Sequence, residues 1–447
     1  MREMKKEPHI AVGIVDGAAR IEGRLEGNFS IAGSRSAAGL FMAHAAPGAI
    51  VLLDDKGGEA ARSEEIRLEA QGPATFTLLN VLIGKRFHWE RAEDQTFRGS
   101  LLLRLRQDGS MAIINEIPLE EYLRSVVSSE MSAAAPLEFL KAHAIMSRSW
   151  LLAALARKGV KRGATEAAQG SVEERGAVIR WYDREEHDLF DVCADDHCQR
   201  YQGVMKIISG RPEEAVAATR GMVLSYGEEI CDARYSKACG GLTEEFATAW
   251  ESREVPYLTS VADSSSPYPP IETEAQAREW ILSSPEAYCR LEDEILMREV
   301  LPGFDRETKD FFRWAAAYSQ DDLSGLVQEK SGLDLGAIHG LTPLLRGPSG
   351  RICRLGIAGS KGSVVVGKEL EIRRWLSPTH LLSSAFVVDA KRDRRGRVET
   401  FTFHGAGWGH GVGLCQIGAS IMAVRGFTAE KILSHYFTGA GIRRIYT

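Results

Sequence analysis

The sequence predicts an α+β fold: a β-rich N-terminal scaffold, a mixed α/β core and a helical insertion. Three observations predict it. Up to about residue 115 short β-branched and apolar runs alternate with Gly and Asp-Gly turns. At 117 the apolar period changes to the helical one. Beyond about 200, strand-like and helix-like runs are interspersed. With 447 residues, 44% hydrophobic and 26% charged, the chain can bury enough core for two or three domains. A net charge of −6 and the lack of a basic stripe with interleaved aromatics argue against a nucleic-acid partner.

The N-terminal strands are expected in "HIAVGIV", "ARIEGRLEGNFSIAG", "GAIVLLDD", "EIRLEAQ", "TFTLLNVLIG" and "GSLLLRLRQDGSMAIINEI". No polar constellation accompanies them, so residues 1–115 read as a scaffold. "MREMKKEPHI" has no apolar run of signal-peptide length behind it. "GLFMAHAAPGAIVLL", broken by Pro47, is too poor for a membrane span.

In 117–159 the pattern becomes helical. Pro118 suits a first turn, and Leu119, Tyr122, Leu123, Val126 and Val127 follow at helical spacing. Pro136 opens a second helix with Leu137, Leu140, Ala144 and Ile145 on its apolar stripe and Gly159 past its end. Glu130 then sits on the last turn of the first helix, before a linker of small residues. The unpaired carbonyls of a helix end oppose ionisation of a nearby carboxylate, which suits a general acid. The alternative is a surface glutamate in a loop.

"HDLFDVCADDHCQRY" packs His187, Cys193, His197 and Cys198 into twelve positions. The spacing H-x5-C-x3-H-C offers four N or S ligands to a tetrahedral Zn²⁺, though it is not a zinc-finger spacing. Half-buried cysteines beside solvated histidines would look the same. The seven cysteines are odd in number and do not form a disulfide framework. From 263 to 345, "EAQAREWILSSPEAYC" and "ETKDFFRWAAAYSQDDLSGLVQEKSG" both read as helices, a helical insertion. "KRDRRGR" at 391–397 reads as a solvated hairpin tip. "GWGHGVG" has four glycines in seven residues, so its backbone can approach a ligand, with Trp408 and His410 projecting. Trp408 suits stacking on a sugar ring or core packing equally well. Cys239 in "ACGGLT" reads as a small buried residue rather than a nucleophile, and Cys231, Cys289, Cys353 and Cys415 as structural.

Four blocks in order resemble the SpoIID/LytB family, the stage II sporulation protein D relatives. They are "LEEYLRSVVSSEMSAAAPLEFLKAHAIMSRSWLL", "DVCADDHCQRYQG", "AVAATRGMVLSYGEEICDARYSKACGGLTEEFATAW" and "GAGWGHGVGLCQIGASIMAVRGFTAEKILSHYFTG". Together they span roughly 320 residues; His143 and Trp150 stand where relatives often carry Gln and Tyr. The resemblance implies a SpoIID-like core over 116–262 and 346–447, with 263–345 inserted. It implies a lytic transglycosylase that cuts peptidoglycan glycan strands with one glutamate, matched here by Glu130, and leaves 1,6-anhydro ends. Glycan contacts would come from Tyr122, Lys141, Arg148, Cys239, Gly240, Gly241, Thr243, Trp408, His410 and Gln416. His187, Cys193, His197 and Cys198 match the family's zinc site; four protein ligands close the sphere, so the zinc is expected to be structural and to staple the polar insertion at 160–203. LytB relatives point to an alternative, a glycan-binding enhancer of a cell-wall amidase. Either implies the cell envelope or periplasm.

Overall fold

The computed structural model describes residues 6–31, 35–84, 90–158, 170–174, 176–182, 187–308 and 310–447. The chain divides into two units, one of residues 1–158, 184–223 and 443–447, the other of 159–183 and 224–442.

The first unit is built on an antiparallel sheet: β1 (His9–Ala18), β2 (Arg20–Ile31), β3 (Arg35–Ala46), β4 (Ala49–Leu53), β5 (Glu59–Ser63), β6 (Glu65–Ile83), β7 (Arg91–Arg98), β8 (Ser100–Leu105) and β9 (Met111–Pro118). The order is β1-β9-β8-β6-β2-β3-β4-β5, with β7 also paired to β6. In β2, Ile21, Leu25, Phe29 and Ile31 are buried while Arg20, Glu22 and Arg24 face out, the period-two pattern of a half-buried strand. Central β8 and β9 are apolar on both faces, and Leu101, Leu102, Leu103, Ile113 and Ile114 are all buried.

Strand β9 runs into helix α1 (Leu119–Glu130), so this unit continues through position 115 without a break. Pro118 holds the N-cap position, and the expected stripe Leu119, Tyr122, Leu123, Val126 and Val127 is buried. Helix α2 (Leu137–Lys158) begins after Pro136, and α3 (Arg211–Ala218) packs against both. Past the far edge of the sheet, the two-residue strand Val192–Cys193 pairs in parallel with β1, setting Cys193 opposite Gly13. Glycine is needed there, because a Cβ would lie 2.5 Å from the Phe190 ring.

The second unit holds a sheet of strands Ser171–Glu174, Ala177–Arg180, Gly362–Gly367, Ile352–Gly359 and Ile338–Arg346, and a three-stranded sheet of Arg313–Ser319, Val398–Ala406 and Phe386–Arg392. Leu323, Val327, Ile338, Ile352, Phe401 and Phe403 share one core. The solvated tip expected at 391–397 joins the last two strands named.

Two sequence expectations need correction here. The segment read as one helix from "ETKDFFRW" onward is a strand, Arg313–Ser319, followed by a helix, Gln320–Ser331. The strand pairs with Val398–Ala406 over its whole length, and Trp314, Ala316 and Tyr318 point inward in alternation while Ala315, Ala317 and Ser319 are exposed. Ser319 caps the helix, accepting from Asp322 N–H at 3.1 Å. The insertion at 160–203 is not stapled as one piece, since Ala177–Arg180 pairs in parallel with Gly362–Gly367 in the second unit. Residues 160–169, 175 and 183–186 of it lie outside the described residues. Among the described residues no helix is long and apolar enough to cross a membrane.

Candidate functional site

Glu130 is the last residue of α1, followed by Met131 in extended conformation, and is only 7% exposed. Its Oε1 accepts the Arg200 backbone N–H at 3.0 Å. One residue back, Ser129 Oγ accepts Gln202 N–H at 3.2 Å. Two turns back, the buried Tyr122 hydroxyl donates to Gln199 Oε1 at 3.1 Å, and its ring stacks on Tyr201 at 5.1 Å. Residues 199–202 therefore clamp the end of α1 that carries the carboxylate. Tyr201 is anchored in turn, donating to Asn115 Oδ1 of β9 at 2.5 Å.

The clamp is continuous with the His/Cys segment. Ligand atoms of His187, Cys193, His197 and Cys198 lie within 4.8 Å of one another. His187 Nε2 is 3.4 Å from Cys198 Sγ, and His197 Nδ1 is 3.4 Å from Cys198 Sγ and 3.8 Å from Cys193 Sγ. Zn–S of about 2.3 Å and Zn–N of about 2.0–2.1 Å give tetrahedral S···N edges of roughly 3.5 Å, so the donor set fits the ion. Phe190, which fills the space above Gly13, stacks on His187 at 4.5 Å and orients it. Cys198, then His187 and His197, hold the Cys193 thiol well below its usual range against the opposing effect of burial, which favours the thiolate a zinc ligand must be.

Asp196, inside this segment, was not singled out from sequence, because "ADD" reads as a solvated loop. Burial pushes its carboxyl up to about 7; Arg200 opposes this, its Nε donating to Oδ1 at 2.6 Å, while the charge of Glu130 adds to it.

Arg148 is fully buried, which corrects its expected place among the glycan contacts. Its Nε and Nη2 donate to Glu120 Oε1 and Oε2 at 3.0 and 2.6 Å, and Nη1 to Met222 O at 2.8 Å. Glu120 also accepts the Tyr446 hydroxyl at 2.6 Å and Gly221 N–H at 3.2 Å. The network ties α1, α2 and the C-terminal residues together. Tyr122 likewise has no exposed surface, its hydroxyl being taken up by Gln199. Lys141 is partly exposed and donates to Glu138, one turn earlier, at 2.7 Å. His143 and Trp150 are buried.

In the second unit Gly407, Gly409, Gly411 and Gly413 all have positive φ, 74° to 96°, which explains the alternation in "GWGHGVG". The close approach they permit is to the protein itself. A Cβ on Gly411 would lie 2.5 Å from the Arg351 guanidinium, and one on Gly413 2.1 Å from Arg234 O. Buried Arg351, another residue missed from sequence, spans the loop by donating to Gly409 O at 3.1 Å and Cys239 O at 3.1 Å. Trp408 is half-buried, bridged through its backbone to Ala238. His410 is half-buried, accepts Val412 N–H on Nδ1 at 3.0 Å and meets the Trp250 ring edge-on at 4.8 Å. Shielding from water, with the charges of Arg234, Arg351 and Arg373, holds its pKa well below the usual histidine value. Thr243 is buried and satisfied by the Thr259 and Val261 backbone. Cys239 and Gln416 are buried, and Gly240 and Gly241 make a turn at φ 83° and 109°. Only Trp408 and His410 of this group keep a partly open surface.

A family model described as stage II sporulation protein matches residues 107–226, and one described as a domain of unknown function matches 244–413. The stage II sporulation protein D of Bacillus subtilis is 29% identical over 329 residues, 74% of this chain and 75% of the relative. That of Bacillus amyloliquefaciens is 26% identical over 330 residues, with 74% and 75% covered. The amidase enhancer of Bacillus subtilis is 25% identical over 339 residues, 71% of this chain and 39% of the relative. The first family match begins in β8 to β9 and takes in α1, Glu130, α2 and the His/Cys segment. Over residues 107–226 the chain thus matches the stage II sporulation protein model, and over about three quarters of its length it is similar to stage II sporulation protein D.

Proposed function

We propose that this chain acts on the bacterial cell wall in the envelope, as a lytic transglycosylase on peptidoglycan glycan strands. The carrying observation is Glu130, a carboxylate on the last residue of a buried helix, fixed by the Arg200 N–H of the His/Cys segment. A group so held can work twice. As the acid it gives a proton to the MurNAc–GlcNAc glycosidic oxygen while the C1–O bond breaks. As the resulting carboxylate it takes the proton of the sugar's own 6-hydroxyl as that oxygen closes on C1. The product is a 1,6-anhydro end, no water is consumed, and Glu130 returns to its starting state. Glycosidases of the ordinary kind use two carboxylates instead.

Zinc on His187, Cys193, His197 and Cys198 would be structural, its four protein ligands leaving no place for a water. Its contribution to chemistry is indirect, through the clamp of residues 199–202 on α1. Of the proposed sugar contacts, Lys141 retains open surface within the first unit, and Trp408 and His410 do so within the second.

The likeness to an amidase enhancer supports a second reading, in which the chain binds glycan beside a cell-wall amidase and does not cut. Mass analysis of denuded and peptide-bearing glycans after incubation with the protein separates the two. Anhydro-MurNAc ends are expected; intact glycans, with stimulation of an added amidase, would replace the first reading by the second.

A further inference from the structure

Four buried side chains of the second unit, none of which takes part in the proposed reaction, converge from four separate stretches of chain. The ligand atoms of Cys239, Asp263, Cys289 and Cys415 all lie within 4.8 Å of one another. We propose that these four residues form a second metal site, with three thiolates and one carboxylate holding a thiophilic divalent cation of the zinc class in a closed, structural sphere. This goes beyond the cell-wall reading and does not rest on it.

The geometry is that of ligands around an ion. Cys239 Sγ and Cys289 Sγ are 3.8 Å apart. A tetrahedral ion with Zn–S of about 2.3 Å has S···S edges of roughly 3.8 Å, whereas a disulfide would bring the sulfurs to about 2.05 Å. A disulfide would also leave the third thiol, Cys415, with no counterpart in the group.

The surroundings are those of an anionic set. Cys415 Sγ accepts two backbone N–H groups, from Cys239 at 3.2 Å and Gly418 at 3.4 Å. The second of these lies in the first turn of helix Gln416–Val424, which Cys415 caps, where the helix dipole favours a thiolate. Cys239 Sγ accepts Gly241 N–H at 3.4 Å, which the positive-φ turn at Gly240 and Gly241 makes possible. Asp263 accepts Cys289 N–H on Oδ2 at 2.8 Å and the Tyr436 hydroxyl on Oδ1 at 2.5 Å. Outer-shell donors of this kind orient metal ligands. Even the packing leaves the carboxylate its room, for a Cβ on Gly418 would stand 2.2 Å from Asp263 Oδ1. All four ligand residues are at most 2% exposed, and a cation would balance charge that water cannot reach.

The site would also explain the C-G-G turn and the cysteine in "GLCQIG" by one cause. Each delivers a sulfur and the amide that supports it.

The test is elemental analysis of the purified full-length chain together with cobalt substitution. Two metal equivalents per chain are expected, falling to one in Cys198→Ser and to one in Cys289→Ser or the milder Asp263→Asn. In the cobalt form the thiolate charge-transfer absorption should drop by about three fifths in Cys289→Ser, as three of five thiolate ligands are lost with the site. If that variant does not fold, the wild-type cobalt intensity still distinguishes five thiolates from two. A single equivalent lost only in Cys289→Ser would support this site while removing zinc from the His/Cys segment. A single equivalent lost only in Cys198→Ser, or a native mass two hydrogens low from a Cys239–Cys289 disulfide, would overturn the proposal.

Discussion

Replacing Arg148 by Met should unfold the first unit more easily. Among the described residues, the substitution leaves the buried Glu120 carboxylate with the Tyr446 hydroxyl and Gly221 N–H as donors to its side chain. Breaking a buried pair from one side costs about 3–5 kcal/mol. The lost donor to Met222 O adds about 1 kcal/mol. The expected loss is therefore about 4–6 kcal/mol at pH 7, with much of it recovered in Arg148→Met/Glu120→Gln. Urea unfolding of the three proteins measures this. A loss under 1 kcal/mol at pH 7, or weakened glycan binding with stability unchanged, would refute the structural reading and return Arg148 to the glycan contacts.

Glu130→Gln should lower glycan cleavage by about 10² to 10⁴ or more while fold and glycan binding persist; full activity by anhydro-end analysis would sink the single-acid mechanism. Cys198→Ser should loosen one metal equivalent and lower the melting temperature, and activity should fall with it because Arg200 N–H holds Glu130. Gentle chelation that stopped turnover while the melting temperature held would instead mark that zinc as catalytic. His380 is held down to about 4 by burial first and then by Arg373 and Arg374. Below an unfolded pKa of about 6.5 the unfolded chain takes a proton that the folded one refuses, so stability falls by at most about 1.4 kcal/mol per pH unit from 6.5 toward 4. The His380→Gln variant should show a shallower decline, and coincident stability-versus-pH curves would contradict this.

Local pattern was enough to read much of the fold. The alternation in β2, the change of period at 117, the prolines before α1 and α2 and the hairpin tip expected at 391–397 are all facts about neighbours in sequence, and propensity and burial agree there. The strand Arg313–Ser319 was not legible, because "FFRWAAAYS" fits either period; only its pairing with Val398–Ala406 decides it. The family blocks were legible too, and so was the grouping of His187, Cys193, His197 and Cys198, since those residues lie within one short stretch. Tertiary structure alone decided what the blocks do. It buried Arg148 on Glu120, turned the glycines of 407–413 toward Arg351 and residues 234–238, and set the 199–202 clamp on α1. It also gathered Cys239, Asp263, Cys289 and Cys415 across 176 residues, where each by itself reads as packing. A spacing rule sees ligands only when one turn or loop supplies them; a site assembled from four distant segments exists only once the core that brings them together has closed.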